Sequence, residues 1–311
     1  MKIGTHNASF QCDDVMAVAM LMTVYGEDDF VVIRTRDEKV LETCNVVVDV
    51  GGVYDHEKRR YDHHQVGRAG ARDNGVMYSA CGLVWKHYGI TICEGGQARN
   101  NVEYDLAERM VQRVDTHFVQ ALDATDNGQE LFTGGTANFE GLRSNSLSSL
   151  IASMNPCWHE AHKDFDRRFH QAVFVAKDFL ERAIESARGV LLAEAIVRKA
   201  ISQAQNHGWD SRVIELSHFC PWQEVVVTET EFAKYVIFPD EVGKFMVQCV
   251  PDKLGGFGKR RALPEAWAGL RNEEFQKGTG VEGAIFCHAG LFICGAETLE
   301  GARKLAALAL V

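Results

Sequence analysis

Carboxylates and imidazoles crowd the first part of the chain, nearly all at positions that read as strand ends or turns: His6, Asp13, Asp14, Asp49, Asp55, His56, Asp62, His63, His64, Asp123 and Asp126. Taken singly they have ordinary readings. Asp13 or Asp14 suits a helix N-cap, and Asp126-Asn127-Gly128 suits a turn. Asp62-His63-His64 is harder to place that way, because adjacent side chains on an extended segment point to opposite faces. Asp62 and His64 then share one side, with His63 on the other. Oxygen and imidazole donors without a thiolate among them favour Mn²⁺ or Mg²⁺ over structural zinc. Carboxylates gathered at one place repel each other unless cations neutralise them. Two divalent ions about 3.5–4 Å apart are the usual answer, and such pairs serve in-line hydrolysis of phosphate esters.

Other chemistries lack their signatures. His159-Glu160-Ala161-His162 spaces its histidines at i and i+3, one residue short of the HExxH zinc spacing. The chain contains no P-loop, no GxSxG elbow and no GxGxxG fingerprint. Gly255-Gly256-Phe257-Gly258-Lys259-Arg260-Arg261 reads as a flexible loop first and an anion clamp second. The net charge of −10 excludes a chain that coats nucleic acid through overall basicity. A nucleic-acid ligand would need a local basic rim, for which Lys58, Arg59, Arg60, Arg68, Lys259, Arg260 and Arg261 are the candidates, or metal ions to receive its phosphates. The nine cysteines form no CxxC pair, so they read as reduced, packed thiols in a reducing compartment. No run approaches 18 apolar residues and the N-terminus does not look like a signal peptide, so the expected address is the cytoplasm, away from membranes.

The elements expected to position these groups alternate strand and helix. Lys2–Thr5 reads as a strand, followed by a helix with Val15, Val18, Met22 and Tyr25 on one face. Phe30–Ile33 and Cys44–Val50 are valine-rich runs suited to strands buried on both faces of a parallel sheet. The second runs into Asp49-Val50-Gly51-Gly52, which puts a carboxylate at a strand's carboxyl end, where open α/β sheets place ligands. Val53–Gln65 reads as a hairpin and Tyr78–His87 as a short helix. Val102–Leu122 reads as a longer helix with Val102, Leu106, Met110, Val114, Phe118 and Leu122 down one face, ending in a turn over Asp123–Gly128. Gln129–Asn145 reads as a loop. Asp164 to about Gln205 is a long helix with Phe165, Phe169, Ala172, Ala176, Phe179 and Ala183 facing inward and Gly189 as a candidate break. A self-associating coiled coil, and so a homo-oligomer, is the lesser reading of that stretch. Strands are expected at Arg212–Leu216, Glu224–Thr228, Tyr235–Phe238, Phe245–Val250 and Gly283–Cys287, before a C-terminal helix over Glu297–Leu310.

The motifs carry a resemblance. His6 to Asp13, Asp49 at a strand end, Asp62-His63-His64 and an Asp after a helix resemble the DHH phosphoesterase superfamily. Thr5-His6-Asn7 with Phe10 and Cys12-Asp13, Asp49-Val50-Gly51-Gly52-Val53-Tyr54-Asp55 and Arg60-Tyr61-Asp62-His63-His64-Gln65 resemble, more closely, the melanocyte-proliferating-gene exonuclease family. Asp123–Gly128, Cys220-Pro221-Trp222, Tyr235–Phe238, Leu263–Trp267 and Phe286–Gly295 fit as well, so the resemblance covers almost the whole chain. It implies 3′-to-5′ RNA exonuclease activity. It implies that His6, Asp13 and Asp49 ligate metal, with Asp49 as the bridge, that His63 is a further ligand, and that His64, beside Asp62, touches the scissile phosphate. Asp123 or Asp126 supplies the remaining ligand. Two departures stand out: Gln11 occupies the place of a second histidine, as a weaker ligand, and His288-Ala289-Gly290-Leu291-Phe292-Ile293-Cys294-Gly295 replaces the family's serine-glycine run. His288, Gly290 and Gly295 would still hold the terminal phosphate, with Arg60, Lys259, Arg260 and Arg261 along the substrate.

The expectation is therefore an α/β protein. It has a DHH-type parallel-sheet catalytic domain over 1–163, a helical linker over 164–207 and a smaller α/β substrate-holding domain over 208–311. It would use one pair of Mn²⁺ or Mg²⁺ ions and trim single-stranded or short RNA to nucleoside monophosphates. The alternatives are a hydrolase of cyclic dinucleotides or another small phosphate compound, and a catalytically weakened nucleotide- or RNA-binding protein.

Overall fold

A computed structural model describes residues 1–26, 30–95, 103–132 and 145–311. Val102 and most of the loop expected over 129–145 lie outside the described residues. The chain forms two compact units, Met1–Arg188 and Gly189–Val311.

The first unit contains β1 (Lys2–Thr5), α1 (Cys12–Tyr25), β2 (Val31–Arg34), α2 (Glu38–Glu42), β3 (Val46–Val48), β4 (Tyr54–Asp55), β5 (Arg60–Tyr61), α3 (Ala80–Cys93), α4 (Tyr104–Val114), α5 (Gln120–Asp126), α6 (Leu147–Ser153) and the first part of α7 (Phe165–His207). Its sheet runs β2-β1-β3-β5-β4. β2, β1, β3 and β5 are parallel, and β4 closes the hairpin as an antiparallel edge. The connection from β1 goes to β2 on one side, and the chain then returns to place β3 on the other. This reversal between β1 and β3 is the kind of switch point where open sheets leave a crevice beyond their carboxyl ends. His6 follows β1, Asp49 follows β3, and Asp62-His63-His64 follows β5.

Several elements depart from the sequence reading. α1 is buried nearly all round, from Cys12 to Met22, so a single apolar face was too narrow a description. The helix expected to reach Leu122 contains a π turn at Asp115–Val119. Its extra residue per turn moves the buried position from Phe118 to Val119, and the helix continues through α5 to Asp126. Asp123 is thus helical, and only Asn127-Gly128 forms the turn.

α7 is continuous through Gly189, and its inward face uses Phe169, Ala172, Val173, Ala176, Leu180 and Ile184. Phe179 is exposed.

The second unit continues with β6 (Val213–Glu215), α8 (Gln223–Glu229), β7 (Tyr235–Pro239), β8 (Phe245–Cys249), α9 (Asn272–Thr279), β9 (Ala284–Cys287), β10 (Ile293–Ala296) and α10 (Leu299–Ala309). Its sheet order is β6-β7-β8-β10-β9, parallel at β6–β7 and antiparallel elsewhere. The valine run at Glu224–Thr228, expected as a strand, is helix α8. There Val225 and Val226 pack beside Trp222, and tertiary burial overrides β-branched propensity. β10 was not anticipated. It is rich in small residues, and Gly295 lies so close to Phe286 and Met246 that a Cβ would collide with the Phe286 ring at 2.9 Å. All nine cysteines are free, and all but Cys157 are buried. Among the described residues no helix is long and apolar enough to cross a membrane.

Candidate metal centre

Three loops and two helices bring the acidic and imidazole groups together. Asp49 sits in the centre with φ +55°, a left-handed conformation that aspartate tolerates better than most residues. Its backbone N–H donates to Tyr61 O at 3.0 Å, which ties the end of β3 to the end of β5. Its two carboxylate oxygens face different partners. Oδ2 lies 3.3 Å from His6 Nε2, and Oδ1 lies 3.4 Å from His63 Nε2. His6 Nε2 also lies 3.2 Å from Asp14 Oδ2. His63 Nε2 lies 3.2 Å from Asp126 Oδ2 and 3.7 Å from Asp13 Oδ2. Two donor sets therefore meet at one carboxylate: His6, Asp14 and Asp49 on one side, Asp13, His63 and Asp126 with Asp49 on the other.

The donors are close without pairing. Asp14 Oδ2, Asp49 Oδ1 and His63 Nε2 are buried and make no hydrogen bond. Leaving such atoms unpaired in a dry interior costs about 1–3 kcal/mol each. Donor separations of this size are what ligand atoms adopt around a common ion with bonds of about 2.0–2.2 Å. The residues thus fit a pair of divalent cations.

The electrostatics of these side chains point the same way. Burial pushes the Asp13 carboxyl well above the usual range, and repulsion from Asp49 and Asp126 adds to it. Burial likewise raises Asp14 to about 7, against the opposing attraction of His6. Burial alone would lower the His63 imidazole, but Asp126, Asp49 and Asp13 outweigh it and raise its pKa to about 11. Burial opposes ionisation of Asp49 too, yet His6 and His63 together draw its pKa down. Groups whose pKa values are raised in this way release protons when they ligate a cation.

A surrounding layer aims these ligands. Asp13 accepts from Ser79 Oγ at 2.6 Å and from the Ala80 and Cys81 N–H groups at 2.8 and 2.6 Å, at the N-terminus of α3, where the helix dipole favours a carboxylate. Asp123 occupies the space behind. Its Oδ2 pairs with Arg72 at 2.7 Å, and its Oδ1 accepts from Ser79 Oγ at 2.5 Å and from Gly82 N at 3.0 Å. Gly82 is required there, since a Cβ would fall 1.9 Å from Asp123 Oδ2. Asp126 therefore faces His63, while the oxygens of Asp123 are committed to Arg72 and α3. Ser79 Oγ stands between the two carboxylates with one hydroxyl proton to donate, and burial raises the pKa of both.

Asn127 fixes His63 from the other side. Its amide N–H groups donate to Met77 O and Asp123 O, which orients its Oδ1 toward His63 Nδ1 at 3.3 Å and Arg68 Nη1 at 2.7 Å. His63 thereby places its proton on Nδ1 and turns Nε2 to the centre. Asp62 does the same for His64. Its Oδ1 accepts from the His63 and His64 N–H groups and lies 2.7 Å from His64 Nδ1, while Gly52 N donates to Oδ2 at 2.6 Å. The His64 ring is 62% exposed. It is the imidazole of the cluster that reaches solvent while its Nδ1 is held.

The chain as a whole has recognisable relatives. The family model described as uncharacterised protein family UPF0160, the MYG1 exonucleases, matches residues 2–310. The MYG1 exonuclease of Mus musculus is 33% identical over 98% of this chain and 83% of its own length. The MYG1 protein of Caenorhabditis elegans is 35% identical over 99% of this chain and 94% of its own length, and that of Saccharomyces cerevisiae 36% identical over 99% and 95%. The chain belongs to the MYG1 exonuclease family. No solved structure matches it.

Other residues of this MYG1 family member singled out in the sequence have surroundings of their own, each described within its unit. Gln11 is exposed at the N-cap of α1, where its backbone N–H donates to Asp14 Oδ1 at 2.8 Å. Arg60 donates to the carbonyls of Lys58 and Cys44. In the second unit Arg260 donates to Val227 O, Ala233 O and Thr230 Oγ1, and Arg261 Nε to Ala309 O. Lys259 is half-buried beside Pro251. His288 is exposed, its Nδ1 accepting from Gly290 N at 2.9 Å, while Gly295 is buried in β10. His159 and His162 are exposed, on the surface.

Asp14 is the residue that sequence reasoning passed over as a ligand. The signal was present: it directly follows Asp13, and consecutive helical positions sit about 100° apart, so both can border one site from different sides.

Proposed function

We propose that this protein is a divalent-metal-dependent phosphodiesterase of the DHH type, a 3′-to-5′ exoribonuclease that shortens single-stranded or short RNA and releases nucleoside monophosphates. The observation that carries the proposal is Asp49 standing between two donor sets, with one oxygen toward each. Family membership supports it, since relatives matching almost all of this chain are named exonucleases. His6, Asp14 and Asp49 would hold one ion, and Asp13, Asp49, His63 and Asp126 the other. Carboxylate and imidazole donors suit Mn²⁺, and the neighbouring Cys81 is no competing thiolate, because burial keeps it protonated.

When bound, the ions supply an acidified water and neutralise charge on the phosphoryl group. The chain does the rest. Asp62 holds His64 in one tautomer, so that its exposed Nε2 can meet a phosphate oxygen. Arg68, anchored on Asn127, keeps guanidinium N–H groups for the adjacent phosphate. The second compact unit serves as the substrate-holding part, through His288 and the Lys259 segment.

A labelled oligoribonucleotide tests the reading. With Mn²⁺, a 5′-labelled strand should shorten stepwise from its 3′ end and release monophosphates, and a 3′-terminal block should stop it. Cleavage of cyclic dinucleotides with no action on RNA would replace the proposed substrate. Binding of RNA without hydrolysis in Mn²⁺ would overturn the enzymatic reading.

A further inference from the structure

A second site is built into the C-terminal unit, apart from every residue the sequence singled out. A cavity of about 860 Å³ opens between the last turns of α7, β6 and α10. That falls within the range of about 300–1,000 Å³ typical of small-molecule sites. Its floor is apolar, formed by side chains of α7 and β6, and Phe245 borders it.

The polar groups on its wall are organised around Glu215. Arg303 binds this carboxylate through two N–H groups, Nε to Oε1 at 2.8 Å and Nη2 to Oε2 at 2.6 Å. Trp209 Nε1 donates to the same Oε1 at 2.7 Å. Glu215 is thus saturated and neutralised, and its pKa is drawn down mainly by Arg303 and Trp209 against burial. Two consequences follow. The Trp209 indole is held by its one polar atom, and with 44% of its surface exposed it presents a fixed aromatic face. Arg303 is held in plane by this pair, with Nη1 outside it, and Lys199 brings a second cation, with no carboxylate partner for it among the described residues. Among the described residues Glu215 is the one acidic side chain on the wall, so the cavity carries a local positive charge in a chain whose net charge is −10. Anions would be drawn to it by simple Coulomb attraction.

An apolar floor, a fixed aromatic ring and two cationic donors recognise a flat ring that carries an anion. We propose that this cavity binds a nucleoside 5′-monophosphate, the base on Trp209 and the phosphate on Lys199 and Arg303. Choosing a nucleotide among aromatic anions rests on the proposed exoribonuclease activity, whose product it would be. Base–aromatic stacking is worth about 1–3 kcal/mol. Arg and Lys donors to phosphate give charge-assisted hydrogen bonds, stronger than neutral ones.

Calorimetric titration of the full-length protein with adenosine 5′-monophosphate, with and without Mn²⁺, tests the site. Saturable binding should appear in both conditions. Lys199→Ala and Trp209→Leu should each weaken it at least tenfold, and adenosine or inorganic phosphate alone should bind at least tenfold more weakly than the nucleotide. Lys199 is exposed, with no ion-pair partner among the described residues, so its variant should fold as the parent does, and circular dichroism would verify this. Absence of Mn²⁺-independent binding would overturn the proposal, as would unchanged affinity in the Lys199 variant. Phosphate binding as tightly as the nucleotide would remove the aromatic half of it. The readout involves no turnover, so this result and the RNA assay can fail independently.

Discussion

One side-chain oxygen, Asn127 Oδ1, joins His63 to Arg68: it lies 3.3 Å from the imidazole Nδ1 and 2.7 Å from the guanidinium Nη1. Asn127 thus both orients a proposed ligand and positions a cation beside it. Replacing it should act through metal affinity before it acts on folding. Asn127→Ala is expected to raise the Mn²⁺ concentration for half-maximal activity by roughly 10–100-fold, the usual cost of losing a group that orients a ligand. A Mn²⁺ titration within twofold of the parent would remove Asn127 from this role.

Asp62 and His64 are expected to act as one unit. His64 Nδ1 lies 2.7 Å from Asp62 and 3.5 Å from Asp49, so Asp62 is the carboxylate that aims it. Asp62→Asn and His64→Ala should each lower kcat by about 10²–10⁴-fold, and the double variant should be little worse than the His64 single variant. Multiplicative losses in the double variant would show that the two residues act separately.

Asp49 should couple metal binding to stability. Saturating Mn²⁺ at 100 times its Kd should stabilise the parent by about 2.7 kcal/mol, measured by urea unfolding of the full chain. Asp49→Asn keeps a residue that tolerates the left-handed backbone but removes the charge facing both donor sets. It should abolish the Mn²⁺-dependent gain and the hydrolysis together. Full stabilisation by Mn²⁺ in this variant would mean that the ions are held elsewhere.

A pH effect is expected away from the metal cluster. His87 accepts from Tyr54 OH at 2.7 Å and stacks on His56 with ring centroids 3.6 Å apart. Burial, then the charges of His56 and Lys86, push its pKa down to about 4. Between about pH 4 and 6.5 the unfolded chain binds a proton there and the folded chain does not. Stability should therefore be present above pH 6.5 and decline as pH falls toward 4. His87→Gln should be less stable than the parent at pH 7 and show a shallower decline. Parallel stability curves for the two proteins would exclude His87 as a source of the slope.

Residue order alone specifies which groups are present and which local elements end beside them. His6, Asp49 and Asp62-His63-His64 each follow a short strand, and that is legible because strand periodicity and turn chemistry are local. The hairpin of Tyr54 and Tyr61 and the long helix α7 were legible for the same reason. Tertiary structure decided the division of labour between neighbours. Asp123 and Asp126 stand on one helix, and only the packing of Arg72, Ser79 and Gly82 turns the first inward and leaves the second facing His63. Asp14 joins His6 because α1 is buried among α3, α5, α6 and β3, and no spacing rule reports what surrounds a helix. The π turn at Asp115–Val119 and the helical Val225-Val226 pair escaped notice likewise: register and burial depend on distant partners, and a chain read residue by residue does not contain those distances.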